Sequence, residues 1–170
     1  MVIYYIQKTL TTNGNAFGFS GTNIQLSLDS EVTKVEENIE KKYAANIQRP
    51  RSRLNWPNYA SSSIIVDLKQ IKWTIIVTGI LTNDSGNLTG VSPSTAATAV
   101  NKKNLLIAMA EHGGSVTFKH RNNSNAETVQ IISMQFTDES TEVGSDETTI
   151  MKEGEMRLGF TITMQKGADR

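Results

Sequence analysis

The chain has no cysteine, so disulfides, thiolate catalysis and cysteine-ligated zinc are all excluded. It has no excess of either charge: Lys plus Arg and Asp plus Glu number 17 each. A general nucleic-acid binder needs a basic surplus to displace counterions, and this chain lacks one. Near-zero net charge instead favours association between copies. Aromatic residues make up only 6% and prolines number 3. No apolar run approaches the roughly 20 residues of a membrane helix, so no membrane partner is expected. The opening Met1-Val2-Ile3-Tyr4-Tyr5-Ile6-Gln7-Lys8 has neither a basic n-region nor a long apolar core. A secretory signal is therefore not expected, and the setting implied is cytoplasmic synthesis followed by assembly.

What is present is enough for one folded domain. The chain has 170 residues, 38% of them hydrophobic and 20% charged, which suits a single globular core. Alternation is the strongest signal. Met156, Leu158, Phe160, Ile162 and Met164 alternate with Arg157, Gly159, Thr161, Thr163 and Gln165. That is a half-buried strand with one apolar and one polar face. Between residues 69 and 80, Ile71, Trp73, Ile75 and Val77 oppose Lys72, Thr74 and Thr78, with Ile76 interrupting the polar row. Residues 115–120 read as a shorter strand with Val116 and Phe118 inward. Residues 127–137 are apolar at both parities, with Ile132, Met134 and Phe136 on one and Val129 and Ile131 on the other. This predicts a central strand buried on both faces. Residues 115–166 then form an antiparallel meander, and residues 2–9, 24–28 and 63–68 are further strands.

One principal helix is signalled between Pro93-Ser94-Thr95 and Gly113-Gly114. Leu105, Leu106 and Met109 form its apolar stripe, and Lys102 and Lys103 are expected on its polar side. Residues 30–46 fit two readings. Val32, Val35, Ile39 and Tyr43 have helical spacing, whereas the β-branched residues favour an extended arm. Residues 11–22, 48–62 and 82–94 are rich in turn formers and read as long loops, which in a compact domain are functional or order on assembly. The fold class expected is mainly β (α+β): an antiparallel β-sandwich or barrel flanked by one principal α-helix. It forms a single domain, 1–170, with an N-terminal arm or insert over about 11–62.

Catalytic chemistry is hard to place. Only His112 and His120 offer imidazole bases, and both read as capping or surface residues. No nucleophile-elbow pattern nominates a serine. No HExxH spacing supplies metal ligands. Asn83-Asp84-Ser85-Gly86-Asn87 resembles a calcium loop, but its twelfth position is Ser94, not a bidentate acid. No phosphate-binding lysine follows Gly14, Gly18 and Gly21. Asn83, Asn87 and Asn122 head Asn-x-Ser/Thr sequons, which carry weight only in a secreted chain. No catalytic residue, metal ligand or cofactor is therefore assigned.

Two other groups of residues point to assembly. Lys41, Lys42, Arg49, Arg51 and Arg53 form a basic stretch with Trp56 and Tyr59 behind it. Asp138, Glu139, Glu142, Asp146 and Glu147 form an acidic loop. The basic stretch of one subunit meeting the acidic loop of the next is a heterologous contact, which builds rings or filaments. Thr74, Thr78, Thr117, Thr161, Thr163 and Gln165 form an uncharged sheet face. Solvent-facing strands more often carry Lys and Glu, so a neutral face suits a channel lining or an apposed subunit.

The run Ile64-Ile65-Val66-Asp67-Leu68-Lys69-Gln70-Ile71-Lys72-Trp73-Thr74-Ile75-Ile76-Val77-Thr78-Gly79-Ile80-Leu81 resembles a segment of tail and baseplate proteins of tailed viruses. A polar loop follows, then Ala99 to Gly114 as a lysine-bearing helix, then Val116-Thr117-Phe118, then the strand Val129 to Glu139 and a closing strand. That order is similar to tail-tube and distal-tail modules, and the likeness spans residues 63–165. The resemblance implies a non-enzymatic virion protein, made in the host cytoplasm and residing in the tail. Its copies would form hexameric rings, contact other tail or baseplate proteins and leave a lumen for transient, non-specific passage of DNA. A distal-tail or baseplate hub ring is the nearest alternative. From another class, a carbohydrate-binding adhesive β-sandwich would use Trp56, Tyr59 and Trp73 to stack sugars. An unrecognised hydrolase using His112 or His120 is a third.

Overall fold

The computed structural model describes residues 4–46, 64–83, 88–120, 125–138 and 157–166. Eight strands and one helix are described: β1 (Tyr5–Leu10), β2 (Gly21–Ser27), β3 (Val32–Asn46), β4 (Ile64–Leu81), β5 (Leu88–Thr89), α1 (Ala99–Glu111), β6 (Val116–Lys119), β7 (Glu127–Asp138) and β8 (Leu158–Lys166). The fold is mainly antiparallel β with a single α-helix, the class the alternation predicts. All eight strands belong to one sheet, in the order β3-β4-β8-β7-β6-β1-β2-β5. The meander expected over residues 115–166 is present as the adjacent antiparallel strands β6, β7 and β8.

The sheet must curl strongly. β3 and β2 are six strand spacings apart in the order, roughly 29 Å if the sheet were flat. Yet the chain passes from Ser27 to Val32 in five Cα steps, a span of at most about 19 Å. A contact across the concave face agrees: His120, beyond the end of β6, lies with its Nε2 3.5 Å from Glu37 Oε1 on β3.

The concave face holds the core. Ile6 and Leu10 of β1, Ile24 and Leu26 of β2, Ile75, Val77 and Leu81 of β4, Val116 and Phe118 of β6, and Phe160, Ile162 and Met164 of β8 are all buried there. Leu105, Leu106 and Met109 of α1 pack into the same cluster, each contributing about 1.5–3 kcal/mol of apolar burial. The helix begins at Thr98, whose side chain accepts from Asn101 N–H at 3.2 Å. Asn83 Oδ1 accepts from Ala99 N–H at 2.8 Å, satisfying another of the first-turn donors. Gly113 and Gly114, at φ 68° and 71°, turn the chain away at the other end.

Three expectations change and one open choice closes. Residues 32–46 are strand, the extended one of the two readings. Residues 36–41 of β3 are exposed at both parities, so they lack the alternation that identifies half-buried strands. Residues 63–68 and 69–80 are not separate strands, because β4 runs unbroken over Ile64–Leu81. Strand β7 is not buried on both faces. Ile131 pairs with Met164 and Ser133 with Thr163, which leaves Ile132 as a bulged extra residue, 55% exposed. The bulge reverses the alternation, so Val129, Ile131, Met134 and Phe136 all face the core side. Lys102, placed on the polar side by its spacing, is fully buried.

The loop over residues 11–20 is already ordered. Asn15 brackets it, its Nδ2 donating to Phe19 O at 2.8 Å and its Oδ1 accepting from Phe19 N–H at 3.0 Å. Glu111 and His112 at the helix end hold it from outside. Ala16 N–H donates to Glu111 Oε2 at 3.0 Å, and Thr11 N–H donates to His112 Nε2 at 3.3 Å.

Candidate functional site

The face turned away from the helix is the candidate surface. Strand alternation places Thr74, Ile76 and Thr78 of β4 there, because Ile75 and Val77 point into the core. The pairing register lines up their neighbours. Thr78 pairs with Thr161, which pairs with Gln135; Ile76 pairs with Thr163, which pairs with Ser133; Thr74 pairs with Gln165, which pairs with Gln130. A second row crosses the other half of the sheet, from Thr128 through Thr117, Gln7 and Gln25 to Thr89. The structure thus brings Thr74, Thr78, Thr161, Thr163 and Gln165 together and sets Thr117 in a parallel band. Gln7, Gln25, Gln130, Ser133 and Gln135 complete the surface. They escape the sequence reading because their polar parity shows only once the β7 bulge and the β1–β2 register are known.

This surface carries hydroxyls and amides with no ionised group in either row. Charge borders the rows on the same face: Lys72 lies two residues before Thr74, Lys119 two after Thr117, and at the β3 margin Lys34 pairs with Thr78 and Glu36 with Ile76. Lys34 Nζ and Glu36 Oε1 are 2.5 Å apart, with both side chains more than half exposed. A shallow polar cleft of about 380 Å³ lies beside Gln7, Thr9, Asn23, Thr117 and His112. Lys8 also borders it, but the Lys8 ammonium is turned under the helix end. There it donates to Met109 O at 2.7 Å and to Gly113 O. Burial pushes the Lys8 amine below the ordinary lysine range.

The predicted charge clusters are placed only in part. Lys41 is exposed on β3 opposite Ile71, and Lys42 stands opposite Gln70. Asp138 closes β7 opposite Leu158. Arg49, Arg51, Arg53, Trp56, Tyr59, Glu139, Glu142, Asp146 and Glu147 lie outside the described residues. Strand β4 outruns its neighbour: β8 pairs with it from Leu81 to Trp73, and from Lys72 to Ile64 its pairing is with β3. Among the described residues, Lys41 and Lys42 therefore sit on a ribbon of β3 and β4 alone, with Ile39 and Ile71 58% and 63% exposed at its root.

Buried polar contacts missed by the sequence reading are structural. Lys102 Nζ donates to Glu31 Oε1 at 2.6 Å and to Thr82 O at 2.7 Å, with both charged side chains fully buried. Glu31 Oε1 also accepts from Thr82 N–H at 2.8 Å. This joins the β2–β3 corner, the end of β4 and the helix. Trp73 is covered by Lys166, whose Nζ lies 4.3 Å from the ring centroid and 3.0 Å from Glu127 Oε1. His120 is buried against Phe118, 5.5 Å between ring centroids, and is not the surface residue expected. His112 is the residue at the helix C-cap. Among the described residues, no group of three His, Asp or Glu side chains is placed to hold a metal ion. None of their helices is long and apolar enough to cross a membrane.

Compared with known proteins, the chain matches no family model and no curated protein.

Proposed function

We propose that this chain is a non-enzymatic structural protein whose copies assemble into rings, with the tail tube of a tailed virus as the first assignment. The observation that carries the reading is the register-aligned band Thr78–Thr161–Gln135, Ile76–Thr163–Ser133 and Thr74–Gln165–Gln130. An uncharged hydroxyl and amide wall neither traps phosphate by ion pairing nor repels it, which suits a channel that a nucleic acid must traverse without sticking. The resemblance of residues 63–165 to tail modules supports the same reading. A distal-tail hub ring would use the same face and differs only in its neighbours along the tail.

The sugar-binding alternative loses one of its three aromatics, because the Trp73 ring is capped by the Lys166 ammonium. The two histidines weigh against a hydrolase. His112 Nε2 accepts from the Thr11 backbone N–H, and His120 is 1% exposed.

Negative-stain microscopy of the purified protein at high concentration tests the proposal. Rings or tubes with a central hole are expected. Particles no larger than a dimer at every concentration would end the ring reading.

A further inference from the structure

Strand β3 forms one end of the sheet order, so among the described residues one of its long edges meets no other strand. Residues 36–41 are all exposed. Long bare edges are hazards that proteins protect with charge. Here the charges are not scattered. The sequence Glu36-Glu37-Asn38-Ile39-Glu40-Lys41-Lys42 has two acids ahead of Ile39 and two bases behind it, at matching distances.

We propose that two copies of this chain join through their β3 edges, antiparallel, about a two-fold axis passing at Ile39. In that register Glu36 faces Lys42 and Glu37 faces Lys41, and each pair occurs twice by symmetry. Ile39, 58% exposed in the single chain, faces its own copy. Opposite charges on facing positions stabilise a strand pair, and like charges destabilise it.

Symmetry leaves few competing registers. A two-fold axis normal to the sheet keeps every residue on its own face, and facing residues in an antiparallel pair share a face. The axis must then pass at a residue and not between two. Moving it to Asn38 sets Lys34 against Lys42 and Glu36 against Glu40, four like-charge contacts counting both copies. Moving it to Glu40 sets that acid against itself. Parallel in-register pairing stacks every charge on its own kind. The charges that disfavour these neighbouring registers are the ones that favour the register at Ile39, the register that sets two distinct acid–base pairs across the edge. β3 is unbulged from Lys34 to Lys42, where every residue takes its own partner on β4, so a straight pairing surface is available. The Lys34–Glu36 bridge is solvent-exposed, and exposed bridges are weak enough for Glu36 to exchange partners.

Such a contact is isologous and closes on itself. It holds the protein as a pair whether or not pairs go on to rings.

Single-cysteine crosslinking tests it cleanly, because the chain has no cysteine of its own. Facing Cα atoms across antiparallel strands lie about 4.5–5.5 Å apart, inside the roughly 4.4–6.8 Å range of a disulfide. Ile39→Cys is expected to oxidise to a covalent dimer on a non-reducing gel. Lys34→Cys, whose copies would be about ten residues and ~33 Å apart along the strand, is expected to stay monomeric. Charge exchange is the second arm, read by light scattering. Glu36→Lys and Lys42→Glu should each be monomers, and mixing the two should restore the dimer, which also shows that both variants fold. Failure of Ile39→Cys to crosslink, equal crosslinking by Lys34→Cys, or unchanged dimers in both charge variants would overturn the proposal. Rings without the Ile39 crosslink refute the paired edge and leave the ring reading standing. A crosslinked dimer that never forms rings does the reverse.

Discussion

Strand β4 lives in two environments. From Trp73 to Leu81 it is flanked by β3 and β8 and roofed by the core, and Ile75, Val77 and Leu81 are fully buried. From Ile64 to Lys72 its pairing is with β3, and there Ile71 is 63% exposed. Pairing with β3 runs through both halves, whereas pairing with β8 stops at Trp73. The layer above differs too: one half has a helix and an opposing wall of side chains, whereas Ile39 and Ile71 at the root of the other stay exposed. Hydrogen-bonded pairing fixes a strand's shape, whereas burial of its side chains needs a second layer. The apolar residues at the ribbon root are therefore the ones left over for another molecule.

The comparison breaks most severely at Lys102. Lys102→Ala leaves the Glu31 carboxylate buried without its cation, and a loss of about 3–5 kcal/mol in unfolding free energy is expected in urea titrations. Lys102→Ala combined with Glu31→Gln should lose less than the single change, because no uncompensated charge remains. A smaller break is expected at Gly79. A Cβ there would collide with the Glu31 carbonyl oxygen and meet the Phe160 ring at 2.8 Å. Gly79→Ala should cost about 1–3 kcal/mol by overpacking the same wall. The smallest effect belongs to the ribbon: Ile71→Thr should change monomer stability by less than about 0.5 kcal/mol. If it destabilises the monomer as much as Gly79→Ala does, the ribbon is layered like the core and the contrast fails.

The sequence reveals these two regions unequally. Alternation exposes β8 and the core half of β4, because one face of each meets the core and the other does not. The helix is legible from its apolar stripe and its glycine stop, but it starts at Thr98, beyond the turn formers Pro93-Ser94-Thr95. What stays hidden depends on distant partners. Lys102 reads as a solvated lysine because Glu31 lies 71 residues away. The β7 bulge at Ile132 turns one buried face into two apparent ones. Strand β3 reads equally as helix because an edge exposed on both sides imposes no period of two. Of the candidate surface, the threonines are visible from parity within single strands. Their glutamine and serine neighbours become visible only through cross-strand register.

Strand β8 is the last described strand in chain order, yet it sits between β4 and β7 near the middle of the sheet. The sheet is thus two half-sheets, β3-β4 and β7-β6-β1-β2-β5, that share no edge until residues 158–166 are made. On the ribosome the earlier strands wait with two interior edges open, a state prone to pairing with other chains. The order of synthesis makes this a late-closing fold dominated by long-range pairing, and such topologies fold slowly. A nascent chain arrested before residue 157 should need chaperone protection that the finished chain does not.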